Sequence, residues 1–227
     1  MAAVEHFDLS GKRAVVLGAD NPAGEVIAEA FTEAGARVAM VAVADATTDI
    51  SKAIDSLGGC DILASAPDHF LAKPFAETSP DDLAGVMHAN FSIQFDACQA
   101  AVARMREQGT GGNLILMTSV LGERGLPNTV AYSAAQGAVF NMIRALAQEV
   151  AADGISVNGI ELGWMDWMSD RINPTDESAL RSVRFTMTKR AGTAEDIGPL
   201  AVWLAGSGVG FVTGQIFPLD GGLTQHL

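Results

Sequence analysis

Arg13-Ala-Val-Val-Leu17-Gly18-Ala19-Asp20-Asn21-Pro22-Ala23-Gly24, continuing into Glu25–Ala34, is the stretch that decides the fold. Arg13–Leu17 is a short apolar run of the kind that forms a strand covered on both faces. In Glu25–Ala34, Val26, Ile27, Ala30 and Phe31 recur at helical spacing and make one apolar face. Gly18 and Gly24 bracket the turn between strand and helix. Glycines here permit a tight turn and let a pyrophosphate approach the helix N-terminus. A turn that merely packs helix on strand carries the same glycines. Pro22 fixes φ and lacks the backbone N–H that could face a phosphate, and Asp20 adds a negative charge to the loop.

The same alternation runs along the chain. Arg37–Val43, Asp61–Ser65, Asn113–Thr118, Ile155–Ile160 and Gly214–Leu219 read as further buried parallel strands. Pro80–Gln108 is a long amphipathic helix. Thr129–Ala152 is a second, ending at Asp153-Gly154, a C-cap. Thr193-Ala-Glu-Asp196 forms a capping box that opens a helix through Ala205. Between Val43 and Asp61 there is room for one helix, about Thr47–Leu57, and little else. Trp164–Lys189 is the least regular stretch. Strand–helix alternation predicts an α/β fold, a doubly wound parallel sheet with helices on both faces. No repeats or linkers interrupt it, and residues 1–227 are expected to form one domain.

Composition excludes several classes of function. The net charge of −13 opposes binding to nucleic acid or anionic membranes, which rests on Lys and Arg. No apolar run is long enough to span a bilayer. Met1–Asp8 has no basic region followed by an apolar one, so it is not a secretion signal. Cys60 and Cys98 are isolated, and a reducing, cytoplasmic setting is expected. His6, His69, His88 and His226 show no metal spacing, and no metal site is inferred.

Six further segments carry a resemblance. They are Arg190-Ala-Gly-Thr-Ala-Glu-Asp-Ile197, Trp203-Leu-Ala-Gly-Ser207, Val212-Thr-Gly-Gln-Ile-Phe-Pro-Leu-Asp-Gly-Gly222, Thr118-Ser119-Val-Leu-Gly122, Met87-His-Ala-Asn90 and Val157-Asn158. Along nearly its whole length the chain resembles the short-chain dehydrogenase/reductase family, which implies a Rossmann-like sheet. By this resemblance Ser119 would hydrogen-bond a substrate oxygen, Tyr132 would exchange a proton with it, and Asn90 would hold a water in a proton relay. Gly18, Asp20, Asn21, Pro22, Gly24, Ala42, Ala64 and Gly163 occupy the family's cofactor positions for NAD or NADP. Trp164 and Trp167 lie in the loop that resembles the family's substrate lid and imply a hydrophobic substrate. A loop packed on its own core reads the same way.

The chain departs from the family where the cofactor would bind. The fourth residue after Tyr132 is Gln136, where the family has a lysine that binds the nicotinamide ribose and favours the phenolate by charge. Gln136 is neutral and cannot do the second. Leu17 and Pro22 replace a threonine and a glycine of the first motif. Ala64-Ser65-Ala66-Pro67 stands in place of Asn-Asn-Ala-Gly. Leu162 replaces a proline, and Trp167 falls where a threonine would meet the carboxamide. Ala42-Val43 offer neither an acid for the ribose nor a base for a 2′-phosphate, and Asp45 is shifted. The short span from Val43 to Asp61 implies that the family's third strand, at the sheet edge beside the adenine, is deleted. The substrate-side trio Asn90, Ser119 and Tyr132 is intact.

Three functions follow. The family default is an oxidoreductase acting with NAD(P)(H) on an alcohol or carbonyl of a small, hydrophobic substrate. The second is a cofactor-independent enzyme on the same fold, a lyase, isomerase or dehalogenase-like protein using Ser119 and Tyr132. Pro22, Asp20, Trp164 and Trp167 would then narrow the old cofactor pocket. The halohydrin dehalogenases are the analogy, although they carry arginine at the lysine position. Glu123 and Arg124 read as a solvated turn. The third is a non-catalytic subunit paired with an active paralogue. A homodimer or homotetramer through the two long helices is the family's usual assembly.

Overall fold

A computed structural model describes residues 3–171 and 184–225. Six parallel strands form one sheet: β1 (Arg13–Leu17), β2 (Arg37–Val41), β3 (Ile62–Ser65), β4 (Gly112–Ser119), β5 (Ile155–Leu162) and β6 (Ile216–Leu219), in the order β2-β1-β3-β4-β5-β6. The helices are α1 (Pro22–Glu33), α2 (Ala46–Leu57), α3 (Pro80–Met87), α4 (Ile93–Gln108), α5 (Val130–Val150) and α6 (Gly198–Ala205). Alternate residues of the central strands feed opposite cores, as a strand's period of two dictates. Val15, Leu63, Leu114, Leu116 and Val157 pack with α2, α4 and α5. Val16, Ile62, Ile115, Ile160 and Leu162 pack with α1 and α6.

The expected strands and helices are present, with shifted ends. α1 begins at Pro22, before the periodic apolar run, because the Asn21 side chain caps it and proline suits the first helical turn. β2 ends at Val41 because the chain turns into a 3-10 segment over Val43–Asp45, and the Val43 N–H donates to Asp20 Oδ1 at 3.1 Å. A single helix, α2, spans the crossover from β2 to β3, so β2 is the margin of the sheet. The capping box of Thr193 and Asp196 forms as expected, ahead of α6.

The helix expected over Pro80–Gln108 is broken by a π turn at His88–Ser92. This wide turn leaves Asn90 wholly buried while α4 still aims Ile93, Ala97 and Ala101 at the core. Such single-turn π segments favour functional positions. Among the described residues no helix is long and apolar enough to cross a membrane.

Candidate active site

The carboxyl ends of β1, β3, β4 and β5 bring together Asn21, Ala66, Pro67, Asp68, Ser119, Tyr132, Gln136, Trp167 and Arg171 around a cleft. Ser119 ends β4, where its Oγ accepts the Leu121 N–H at 3.3 Å and caps a 3-10 turn. Tyr132 lies in the first turn of α5 and is only 2% exposed. Its Oη donates to Asp68 Oδ1 at 2.8 Å. Asp68 Oδ2 accepts from Arg171 Nη2 at 2.5 Å. The Arg171 guanidinium also sits over the Phe70 ring at 5.5 Å, and that ring meets Tyr132 edge-on at 5.1 Å. Burial, and then the Asp68 charge, push the Tyr132 phenol well above its usual pKa; Arg171 and the Ser119 hydroxyl work the other way.

Gln136 is buried one turn further along α5. Its Oε1 accepts from Thr118 Oγ1 at 3.0 Å, and its Nε2 donates to Asn90 Oδ1 at 3.4 Å. The neutral side chain joins β4 and the π turn and does not bond to the phenol. The side chain of Asn90 is bonded within the protein. Its Oδ1 accepts from the His69 N–H and its Nδ2 donates to the His69 carbonyl, both at 2.9 Å, and to Val86 O. Its own carbonyl accepts from Gln94 Nε2 at 2.8 Å. With these groups committed, Asn90 clamps the segment after β3 and so holds Asp68 against Tyr132.

Several residues expected to hold a dinucleotide have partners within the protein. β1 and β3 are adjacent and their following loops diverge, which creates the crevice where doubly wound sheets bind ligands. Asn21 spans this crevice. Its Oδ1 accepts from the Ala23 and Gly24 N–H groups at 3.1 Å, and its Nδ2 donates to Ala66 O at 2.7 Å. Pro22 supplies no N–H. The turn itself requires Gly18, which has φ +84°, and close packing requires both Gly18 and Gly24. A Cβ on Gly18 would lie 2.6 Å from Ala66 O, and one on Gly24 would lie 2.1 Å from Gly18 O. Asp20 points its carboxylate to the end of β2, and Ala42 offers no polar side chain there. Ala64 is not at the crevice; it is fully buried within β3, and Ala66 and Pro67 line the cleft instead. Gly163 ties β5 to β6, donating to Leu219 O and packing on Asp220.

Trp167 lines the cleft with Met168. Trp164 packs into the core beside α1 and α6. The middle of the lid read from the sequence, residues 172–183, lies outside the described residues. The cleft holds about 20 Å³, room for one water, against roughly 300–1,000 Å³ for small-molecule pockets. Among the described residues, the Asn21–Ala66 bridge and the missing N–H of Pro22 leave fewer free groups for a dinucleotide than the family's glycine loop offers.

Asp68 and Arg171 were missed by sequence reasoning. Asp68 follows Ala66-Pro67 at the carboxyl end of a strand, and an acid in that position was the available signal. Arg171, 103 residues away, gave none.

A second acidic group lies near the site. Glu161, opposite Thr118 in the β4–β5 register, is 2% exposed, and its Oε1 has no hydrogen-bond partner. Burial, then Glu123 and Asp220, push its pKa up to about 7, with Arg124 opposing. A folded-state pKa above the usual value stabilises the fold below about pH 4.5, and that stability is lost as pH rises through 7. Glu161→Gln should therefore gain on wild type by roughly 3 kcal/mol between pH 5 and 8 in urea denaturation. Parallel pH curves would refute this.

Residues 47–224 match a family model described as enoyl-(acyl carrier protein) reductase. The chain is 31% identical to a glucose 1-dehydrogenase of Gluconobacter oxydans (strain 621H), across 96% of this chain and 93% of that one. It is 29% identical to a gluconate 5-dehydrogenase of the same strain, across 97% and 98%. Among solved structures it is similar to a gluconate 5-dehydrogenase from Burkholderia cenocepacia J2315 in complex with NADP and tartrate. That match has a TM-score of 0.89 and 26% identity and covers 99% of this chain and 100% of that one.

Proposed function

The chain belongs to the short-chain dehydrogenase/reductase family of oxidoreductases, and from that premise we propose that it has kept the family's handling of a substrate oxygen without its dinucleotide. It exchanges a proton at a hydroxyl oxygen of a small, hydrophobic substrate, so that a neighbouring bond breaks in elimination, ring opening or isomerisation. Ser119 holds the oxygen and Tyr132 exchanges the proton. Trp167 and Met168 supply the apolar wall. The observation that carries this reading is the buried Tyr132 hydroxyl bonded to the Asp68 carboxylate, with neutral Gln136 at the position where the family has a lysine. The bridge from Asn21 to Ala66 supports the loss of the dinucleotide.

The second reading is NAD(P)H-linked reduction of a carbonyl, the family default. It is favoured by the NADP in the Burkholderia cenocepacia structure and by the retained Gly18–Gly24 turn. Titration with NADH and NADPH, read by energy transfer from tryptophan, separates the two. No binding up to millimolar is expected. Micromolar binding of either would overturn the first reading in favour of the second. Absence of binding together with failure of every hydroxyl substrate would favour the non-catalytic subunit.

A further inference from the structure

Resting on the proton-exchange reading, we infer that Asp68 does the work of the missing lysine by the opposite means: it receives the Tyr132 proton instead of stabilising a phenolate. A lysine favours ionised tyrosine. A carboxylate bonded to the hydroxyl opposes ionisation, so the phenolate is never a resting species. The proton can still cross. As the substrate O–H bond breaks, its proton bonds to Tyr132 Oη, and the proton already on Oη moves along the 2.8 Å hydrogen bond to Asp68 Oδ1. The electron pair stays on the substrate oxygen, beside Ser119, and drives cleavage of the next bond.

Three features fit Asp68 to this task. Arg171 holds it as an ion pair through Oδ2, which fixes the carboxylate with Oδ1 toward Tyr132. The Asp68 and Arg171 side chains are 18% and 21% exposed, while Tyr132 is sealed, so the proton reaches water through Asp68. Asn90 fixes the neighbouring residue, His69, by both its N–H and its carbonyl, which sets the Asp68 backbone. Asp68 acts through Tyr132 and is a positioning and relay residue that does not touch substrate. Arg171 lies in the 3-10 segment Asp166–Arg171 that also carries Trp167, so one short segment supplies both a wall of the cleft and the ion pair of the relay.

Tyr132 is the chain's sole tyrosine, so protein labelled with 13C at the tyrosine ζ carbon gives one ring resonance and needs no substrate. Asp68→Asn should ionise Tyr132 at lower pH than wild type, and Asp68→Glu should restore the wild-type titration. As a turnover probe, diacetone alcohol splits into two acetones when its hydroxyl proton is removed. The carbon–carbon electron pair becomes an enolate that solvent protonates. Asp68→Asn should slow this by about 100-fold or more, and Asp68→Glu should recover part of it. An unshifted tyrosine in Asp68→Asn overturns the relay whatever the activity. A shifted tyrosine with no cleavage by wild type overturns the proton-exchange reading, and the relay with it.

Discussion

Tyr132→Phe is expected to lower cleavage of a hydroxyl substrate by about 10²- to 10⁴-fold, the range that a positioned proton-transfer group supplies. The fold should survive. The ring keeps its edge contact with Phe70 and its packing with Val86, Ala131 and Ala135. Asp68 keeps Arg171, so no buried charge is orphaned, and the lost hydroxyl costs about 1 kcal/mol. Kinetics and urea denaturation on the same sample separate the two effects. Rates within twofold of wild type would remove Tyr132 from the chemistry.

The second large effect is Gln136→Lys, which restores the family's residue. Were the site an ordinary dehydrogenase short of one charge, this change would switch it on. The structure predicts loss instead. An ammonium at this position must leave water, break the bonds to Thr118 and Asn90, and find Asp68 already neutralised by Arg171. Burying an unpaired charge costs on the order of 3–5 kcal/mol, less where the side chain deprotonates. Denaturation should show a drop of roughly 2–4 kcal/mol, and NADPH oxidation should not rise. A stable variant with new NADPH-dependent turnover would establish the dinucleotide reading.

Much of this was legible in the chain because the signals are local. A strand buried on both faces, such as Arg13–Leu17, declares itself by composition, and the pairs Ser119–Tyr132 and Thr193–Asp196 lie close together in sequence. The short interval from Val43 to Asp61 likewise announced a missing edge strand. The relay was hidden because its parts come from three distant segments. Asp68 meets Tyr132 only once β3 and α5 are packed, and Arg171 arrives from a loop beyond β5. Asn90 was found, and the structure adds its bonds to His69. A π turn leaves no mark in helical periodicity, and with it went the clamp on His69. Gln136 read as a charge removed. In the structure it is also a brace between β4 and the π turn.

The sheet that ends at β2 has a consequence outside chemistry. A marginal strand carries a row of amide and carbonyl groups with no neighbour, and such rows are where separate molecules join by adding strand to strand. Here the strand is only five residues long, opens on exposed Arg37, and carries Met40 with 57% of its surface in water. The charge and the brevity blunt the edge, and the methionine does not. With a single helix between β2 and β3, Arg37–Val41 stands at the sheet margin. In concentrated solution, this edge is one segment, with β6 at the opposite margin, where strand-to-strand association would be expected to start.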